Sequence, residues 1–500
     1  MKKLKPCRGF LVHSLEPRRM LVAPDAPVII EPFTQGQITS TFDINLQTDP
    51  AQYSDGDGDA WQSTDWIIRE AASQTTVWQT GFLSAPPLTL YRTDFSDGTF
   101  VGPLAGRTEL NYSTNYQLVV RYRDAASETS APAVRDFTTS GPTQVVPGGG
   151  TWLVKPGYVV EPVQTGLRLP VNIAFVPNPG TAPSDPLYYV AELYGSIQVV
   201  RNDGSRQTFA TSLLDYNPQG PFGGSGEQGL TGLAVERDAG NPNLYHLYVA
   251  MLWDNGAPPG GPNHYPKVER LTSAAGGLTV ASRTVLLNMQ PETQGQSHQI
   301  SNVSIGPDNK LYVHMGDGFD ASTGLNLDQY RGKVLRMNKD GSPVATGDPA
   351  GANPFYNAAN GINARDYIYT FGHRNPFGGA WRGDGKLWMV ENGNGIDRMV
   401  DLVSGQSYGW AGSDTAIQSF SKFVWNPATA PVNIDFVDPA SFGGSMFPPE
   451  AQDHGFVTLS GSTYAAGPLQ RAKAIVEFPD LDTLGPDGKL LVQPNFLVKY

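Results

Sequence analysis

The sequence predicts an all-β chain, a β-sandwich followed by a β-propeller. Three observations carry this expectation. The 500 residues include 56 glycines and 41 prolines, the punctuation of short strands and tight turns. They also include 9 tryptophans, 21 tyrosines and 22 phenylalanines, too many for a disordered composition. From about residue 151 onward, a turn followed by leucine and a β-run recurs several times.

The bulk numbers narrow the function classes. A chain of 500 residues is expected to hold two or three domains. A net charge of −12 with no basic stripe excludes nucleic acid as the main partner. Cys7 is the single cysteine, so no internal disulfide can form. No stretch approaches the roughly 20 apolar residues of a membrane span. Residues 1–23 are basic and differ in character from the rest of the chain. Within them, Ser14-Leu15-Glu16-Pro17-Arg18-Arg19-Met20-Leu21 resembles the LEPRRLL box that opens many large secreted proteins of certain bacteria. That resemblance implies an export or surface-targeting leader, and a protein that is secreted or held at the bacterial cell surface. A disordered basic tail is the alternative.

Residues 24–140 read as one domain. Strand-like runs at Ile38–Leu46, Thr64–Arg69, Thr75–Phe82, Tyr116–Tyr122 and Val134–Thr139 predict a sandwich. The stretch from Leu110 through Tyr122 resembles the late strands of fibronectin type III domains, which implies a spacer or adhesion role with contact to a surface or matrix. The run Asp55-Gly56-Asp57-Gly58-Asp59 reads as a turn. It lacks the downstream bidentate glutamate of a calcium loop. Residues 141–157 are expected to be a Gly/Pro-rich linker.

The recurring pattern begins at Leu187, Leu244, Leu311, Leu387 and Leu490. Their separations of 57, 67, 76 and 103 residues suggest propeller blades with insertions. The most informative copy lies in Ser297–Gly318. There Val303 and Ile305 alternate with polar neighbours, Gly306-Pro307-Asp308-Asn309 makes a turn, and Leu311-Tyr312-Val313 starts a second strand. This hairpin holds His298 near the start of one strand and Asp317 near the end of the next.

Six motifs in order resemble the glucose/sorbosone dehydrogenase family, soluble sugar dehydrogenases that use pyrroloquinoline quinone (PQQ). They are Glu227-Gln228-Gly229-Leu230, His298 through Asp317, Arg331 through Gly341, Gly372-His373-Arg374-Asn375-Pro376, Glu391-Asn392-Gly393-Asn394, and Tyr408-Gly409-Trp410. The resemblance covers about residues 158–500. It implies a six-bladed propeller, incomplete at Tyr500. It further implies a sugar substrate, PQQ and Ca²⁺ as cofactors, and an external electron acceptor of unknown identity. Residue by residue, it assigns His298 as the base for the sugar hydroxyl and Arg374 as the group that stabilises charge on the quinone. Glu227, Asn375 and Asn392 would contact the cofactor alongside Arg374. The backbone oxygens of Gly393 and Asn394 would take the metal. Histidine suits the base role because its pKa lies near neutrality, and a guanidinium suits developing negative charge.

Departures from the pattern are specific. Ile300 and Ser301 stand where the family has two glycines, Asn394 replaces a proline, and the late basic R-I-R-D-type segment has no match before Tyr500. The other reading of the chain is a non-catalytic cell-surface propeller that binds protein or glycan. In either reading Asp317 is expected to cap a turn, His373 to be structural, and Lys333 and Arg336 to sit on a solvated strand.

Overall fold

Strands dominate the computed structural model of the protein, as the sequence requires. The structure describes residues 22–499 apart from 33–34, 40–45, 85–89, 94, 96–97, 108, 140–143, 147–149, 156, 215–226, 228, 255–263, 291, 293–296, 427, 438–446 and 462–472. The leader expected at 1–23 falls, but for its last two residues, outside the described residues. The chain divides into two compact units, Met1–Pro142 and Thr143–Tyr500.

Among its described residues the first unit holds two sheets that share one core. One sheet orders Ile29–Glu31, Leu46–Thr48 and Arg92–Thr93. The other orders Gln37–Thr39, Ala133–Thr139, Asn115–Asp124, Trp61–Glu70, Thr76–Ser84 and Thr99–Phe100. Trp66, Ile68, Leu118 and Val120 point to one side of their strands and share a buried core with Ile29 and Leu46 of the facing sheet. Tyr116 is buried at a corner, where its Oη accepts the Asn111 N–H at 3.0 Å. Asp55 closes a turn: its Oδ1 accepts the N–H groups of Asp57, Gly58 and Asp59 at 3.0, 2.9 and 3.1 Å.

Among its described residues the second unit contains five antiparallel sheets in series. The first runs Pro170–Phe175, Pro186–Glu192, Ser196–Arg201 and Arg206–Ala210. The second runs Leu230–Arg237, Tyr245–Asp254, His264–Ala274 and Thr279–Asn288. Ile300–Ile305, Leu311–Met315, Lys333–Met337 and Ile368–Phe371 form the third, and Pro376–Trp381, Leu387–Glu391, Asp397–Asp401 and Phe423–Trp425 the fourth. The fifth contains Pro431–Phe436, Gly455–Leu459, Ala474–Phe478 and Asn495–Lys499, extended by Gly150–Val154 and Gln144–Val146. Those last two strands lie in the stretch expected as a linker; Leu153 and Val154 pair with Lys499 and Val498.

The opening strands of consecutive sheets pack side by side, the arrangement of propeller blades. Side chains bridge these strands at their innermost ends. Thr231 Oγ1 donates to Ile300 O at 2.8 Å, Ser301 Oγ to Pro376 O at 2.7 Å, and Asn302 Nδ2 to Gly379 O at 3.3 Å. The recurring leucine pattern marks the second strand of the first four sheets. The fifth copy, at Leu490, lies outside any strand, and the second strand of the fifth sheet lacks the pattern.

Lys333 and Arg336 differ from expectation. Their strand is buried along its whole length, because sheets cover both of its faces. Lys333 Nζ donates to the carbonyls of Thr323, Gly324 and Arg331 at 2.7, 3.0 and 2.7 Å. Arg336 Nε donates to Asp308 at 2.8 Å.

Candidate active site

His298 sits just before the first strand of the third sheet, in left-handed backbone geometry with φ +58°. Gly316 makes this approach feasible, since a Cβ there would lie 2.3 Å from the His298 carbonyl carbon. The following residue, Asp317, can therefore reach the imidazole. His298 Nδ1 donates to Asp317 Oδ1 at 2.6 Å. A carboxylate only accepts, so the proton is on Nδ1 and Nε2 carries the lone pair. Asp317 also caps its turn as expected, accepting the Phe319 N–H at 3.0 Å. Its second oxygen accepts Trp410 Nε1 at 2.8 Å. Burial holds the His298 pKa below its ordinary value; the bond to Asp317 opposes that shift and the Arg374 charge adds to it. Phe319 stacks on the imidazole with centroids 4.1 Å apart and planes 29° apart. It does so from left-handed geometry, φ +66°, a conformation that costs a bulky residue about 1–3 kcal/mol.

Arg374 and Asn375 occupy the link between the third and fourth sheets. The Asp317 N–H donates to Arg374 O at 2.7 Å, which fastens this link to the His298 hairpin. Arg374 Nη1 donates to Asn392 O at 2.9 Å, and its guanidinium lies 5.6 Å from the Trp410 ring centre. Behind it Glu391, fully buried, accepts the Arg374 N–H, His373 Nδ1 at 3.1 Å, and Arg398 Nε and Nη2 at 2.9 and 2.7 Å. The charges of Arg398 and His373 overcome burial and hold the Glu391 carboxyl down at about 2. His373, expected to be structural, is buried between Glu391 and Thr370.

Glu227 lies against the same hairpin from the second sheet's approach. Its Oε2 accepts the His298 N–H at 2.5 Å and Asn375 Nδ2 at 3.4 Å. Burial pushes the Glu227 carboxyl up to about 7. Glu227 Oε1 and Asn375 Oδ1 are both buried with no hydrogen-bond partner among the described residues.

The loop after the Leu387–Glu391 strand completes the site. Asn392 Nδ2 donates to Pro431 O at 2.9 Å. Gly393 is required sterically, because a Cβ would lie 1.9 Å from Ile396 O. The Gly393 N–H donates to Asp397 at 3.0 Å, and the N–H groups of Asn394 and Gly395 donate to Asp414 at 2.9 and 2.8 Å. Asp397 also accepts the Thr429 and Ala430 N–H groups at 2.7 and 2.8 Å, yet burial pushes it up to about 6. Three successive N–H groups are thus taken by carboxylates, a setting that favours a cation over an anion at this loop. Among the described residues no group of three or more acidic, histidine or cysteine side chains is arranged to hold a metal.

A cavity of about 390 Å³ opens over these residues, within the usual ligand-pocket range of about 300–1,000 Å³. His298, Arg374, Asn392, Gly393 and Asn394 line it, together with Phe319 and Asp397. Glu227 and Asn375 stand behind that lining. Ile300 and Ser301 do not intrude: Ile300 is buried in the core of the second and third sheets, and Ser301 is bonded to Pro376. Sequence reasoning missed Phe319, Asp397 and Asp414 altogether. It noted Trp410 only as part of a motif, and assigned Asp317 to the turn alone. The Gly-Asp pair after the strand was the available signal for Asp317.

The pocket's chemistry fits an anionic quinone held with a cation. Arg374 offers a cationic face, and the buried oxygens of Glu227 and Asn375 are unmatched. Asp397 and the amide-capped loop supply negative potential where a divalent ion would balance the charge.

Over 208 residues the chain is 32% identical to quinoprotein glucose dehydrogenase B of Acinetobacter calcoaceticus, covering 37% of this chain and 40% of that protein. Over 304 residues it is 27% identical to an uncharacterized protein of Synechocystis, covering 57% and 66%. The chain thus spans less than two thirds of either relative's length. Among solved structures, a glucose dehydrogenase shares the fold, with TM-score 0.50, 19% identity, and coverage of 67% of this chain and 88% of that one. The glucose/sorbosone dehydrogenase family model matches residues 167–447, more than half of the sequence, and the chain therefore belongs to that family.

Proposed function

We propose that the protein oxidises a sugar hydroxyl with PQQ and Ca²⁺, using His298 as the base. The observation that carries this reading is the Asp317–His298 pair, whose free nitrogen belongs to a residue lining the same cavity as Arg374. His298 Nε2 takes the hydroxyl proton as the C–H bond breaks. Asp317 keeps the ring in the required tautomer and stabilises the imidazolium that forms. Bound PQQ supplies the hydride acceptor. Arg374 would hold its anionic groups and stabilise charge growing on oxygen, with Asn375, Asn392 and Glu227 contributing polar contacts. The carbonyl oxygens of Gly393 and Asn394 would take Ca²⁺. The names of the relatives support the chemistry, one being a quinoprotein glucose dehydrogenase.

The finer architecture we propose is a six-bladed ring, of which five blades lie among the described residues. Val171, Ile173 and Phe175 support it. They alternate on one face of the first sheet's opening strand and are 37%, 49% and 62% exposed, as one face of a blade without its neighbour would be. We read the first unit as fibronectin III-like, supported by its two-sheet order and the Tyr116 corner, and the protein as exported.

The test loads the full chain with PQQ and Ca²⁺ and assays an aldose panel with a dye acceptor. His298→Ala should lower kcat by about 10²–10⁴-fold while PQQ affinity, read by calorimetry, stays within about threefold. Failure to bind PQQ, with no turnover of any sugar, would leave the reading of a cell-surface binding propeller in its place.

A further inference from the structure

Phe319 is an aromatic residue that lies outside the hydrophobic cores. It is 60% exposed and holds a φ of +66° that only glycine adopts freely. Its backbone N–H is fixed by the carboxylate oxygen that also fixes His298 Nδ1. Its ring stacks on the imidazole and lines the cavity beside Arg374. One carboxylate therefore sets both the base and an apolar wall next to it.

We propose that Phe319 is a specificity-determining residue, the aromatic wall against which the C–H face of a pyranose ring lies while one hydroxyl meets His298 Nε2. Pyranoses combine equatorial hydroxyls with patches of axial C–H bonds. Such patches are slightly positive and complement the negative face of a phenyl ring. The remaining surfaces named for the cavity are charged or polar side chains, small residues and backbone, so Phe319 is where a sugar finds an apolar contact. The substrate class is then a pyranose with an uninterrupted C–H face beside the oxidised carbon. Bulky axial substituents on that face would strike the ring.

This inference rests on the proposed sugar-oxidising function, and two measurements separate their failures. Phe319→Gly suits the left-handed backbone, so the fold should persist. In the PQQ- and Ca²⁺-loaded full chain it should raise KM for D-glucose about tenfold and leave kcat within about threefold and PQQ affinity unchanged. Phe319→Tyr should restore the original KM. An unchanged KM in Phe319→Gly overturns the inference. The second measurement needs no turnover: saturation-transfer NMR of D-glucose on the full chain should show transfer to ring C–H protons that Phe319→Gly abolishes. Transfer that survives in Phe319→Gly also overturns the inference. Transfer that depends on Phe319 with no oxidation of any sugar overturns the proposed function and leaves the aromatic wall standing.

Discussion

Glu227 sits where burial and charge pull in opposite directions. Its carboxyl is pushed up to about 7 by burial, although the His298 N–H and Asn375 both donate to it. Folding therefore favours its protonated form. The stability it contributes is complete below the ordinary carboxyl pKa, and is lost as pH rises through about 7. The same proton governs an anionic ligand. Once Glu227 ionises, a further negative charge stands behind the pocket, whereas its protonated Oε1 would have a hydrogen to donate. PQQ affinity measured by calorimetry should weaken severalfold between about pH 6.5 and pH 8 in the native chain. In Glu227→Gln it should be nearly flat over that range and tighter at the upper end. Asp397, pushed up to about 6, remains largely ionised across this window.

Several pocket segments converge on one buried ion pair. Arg398 and Glu391 lie on adjacent strands of the fourth sheet, paired in register and fully buried. Glu391 holds the Arg374 N–H, while Arg398 Nη1 holds Tyr408 O at 2.9 Å, two residues from Trp410, and Ala416 O at 3.3 Å in the short helix that presents Asp414. Arg398→Ala would take the guanidinium from the buried Glu391 carboxyl and leave it only the His373 and Arg374 N–H donors. Chemical denaturation should show a loss of about 3–5 kcal/mol. The stability Glu391 contributes is complete above its ordinary pKa and is lost as pH falls toward about 2, so this deficit should shrink in acid. His298, Arg374 and Asn392 stand out in the sequence as members of ordered motifs, and all three line one cavity. Their supports do not stand out in this way. Asp317, Trp410, Asp397 and Asp414 act across gaps of many residues or between sheets, and nothing local marks an aspartate that bonds a distant indole from one that caps a turn. Lys333 and Arg336 were misplaced for another reason. Period-two alternation signals burial only when one face of a sheet is wet, and the Lys333–Met337 strand, covered on both sides, has no wet face.

The two units give the whole molecule more than one unfolding event to report. We expect calorimetry to resolve two transitions, since each unit has its own core. Tyr116→Phe removes the acceptor of the part-buried Asn111 N–H and should lower only the first unit's transition, at a cost of about 0.5–1.5 kcal/mol. The all-β character and the series of sheets were legible from turn spacing. The entry of Gly150–Val154 into the fifth sheet was not, because no pattern in a glycine-rich stretch reveals a partner at the far end of the unit. That pairing also has a consequence in time. A ribosome that has just released residues 150–154 must add the whole series of sheets before Asn495–Lys499 emerges, on the order of ~20–70 s at ordinary elongation rates. For that interval the strand has no ladder partner on that side. The last sheet is completed only after the four before it have been synthesised, and a chain halted partway would carry an open strand edge of the kind that recruits chaperones or other nascent chains.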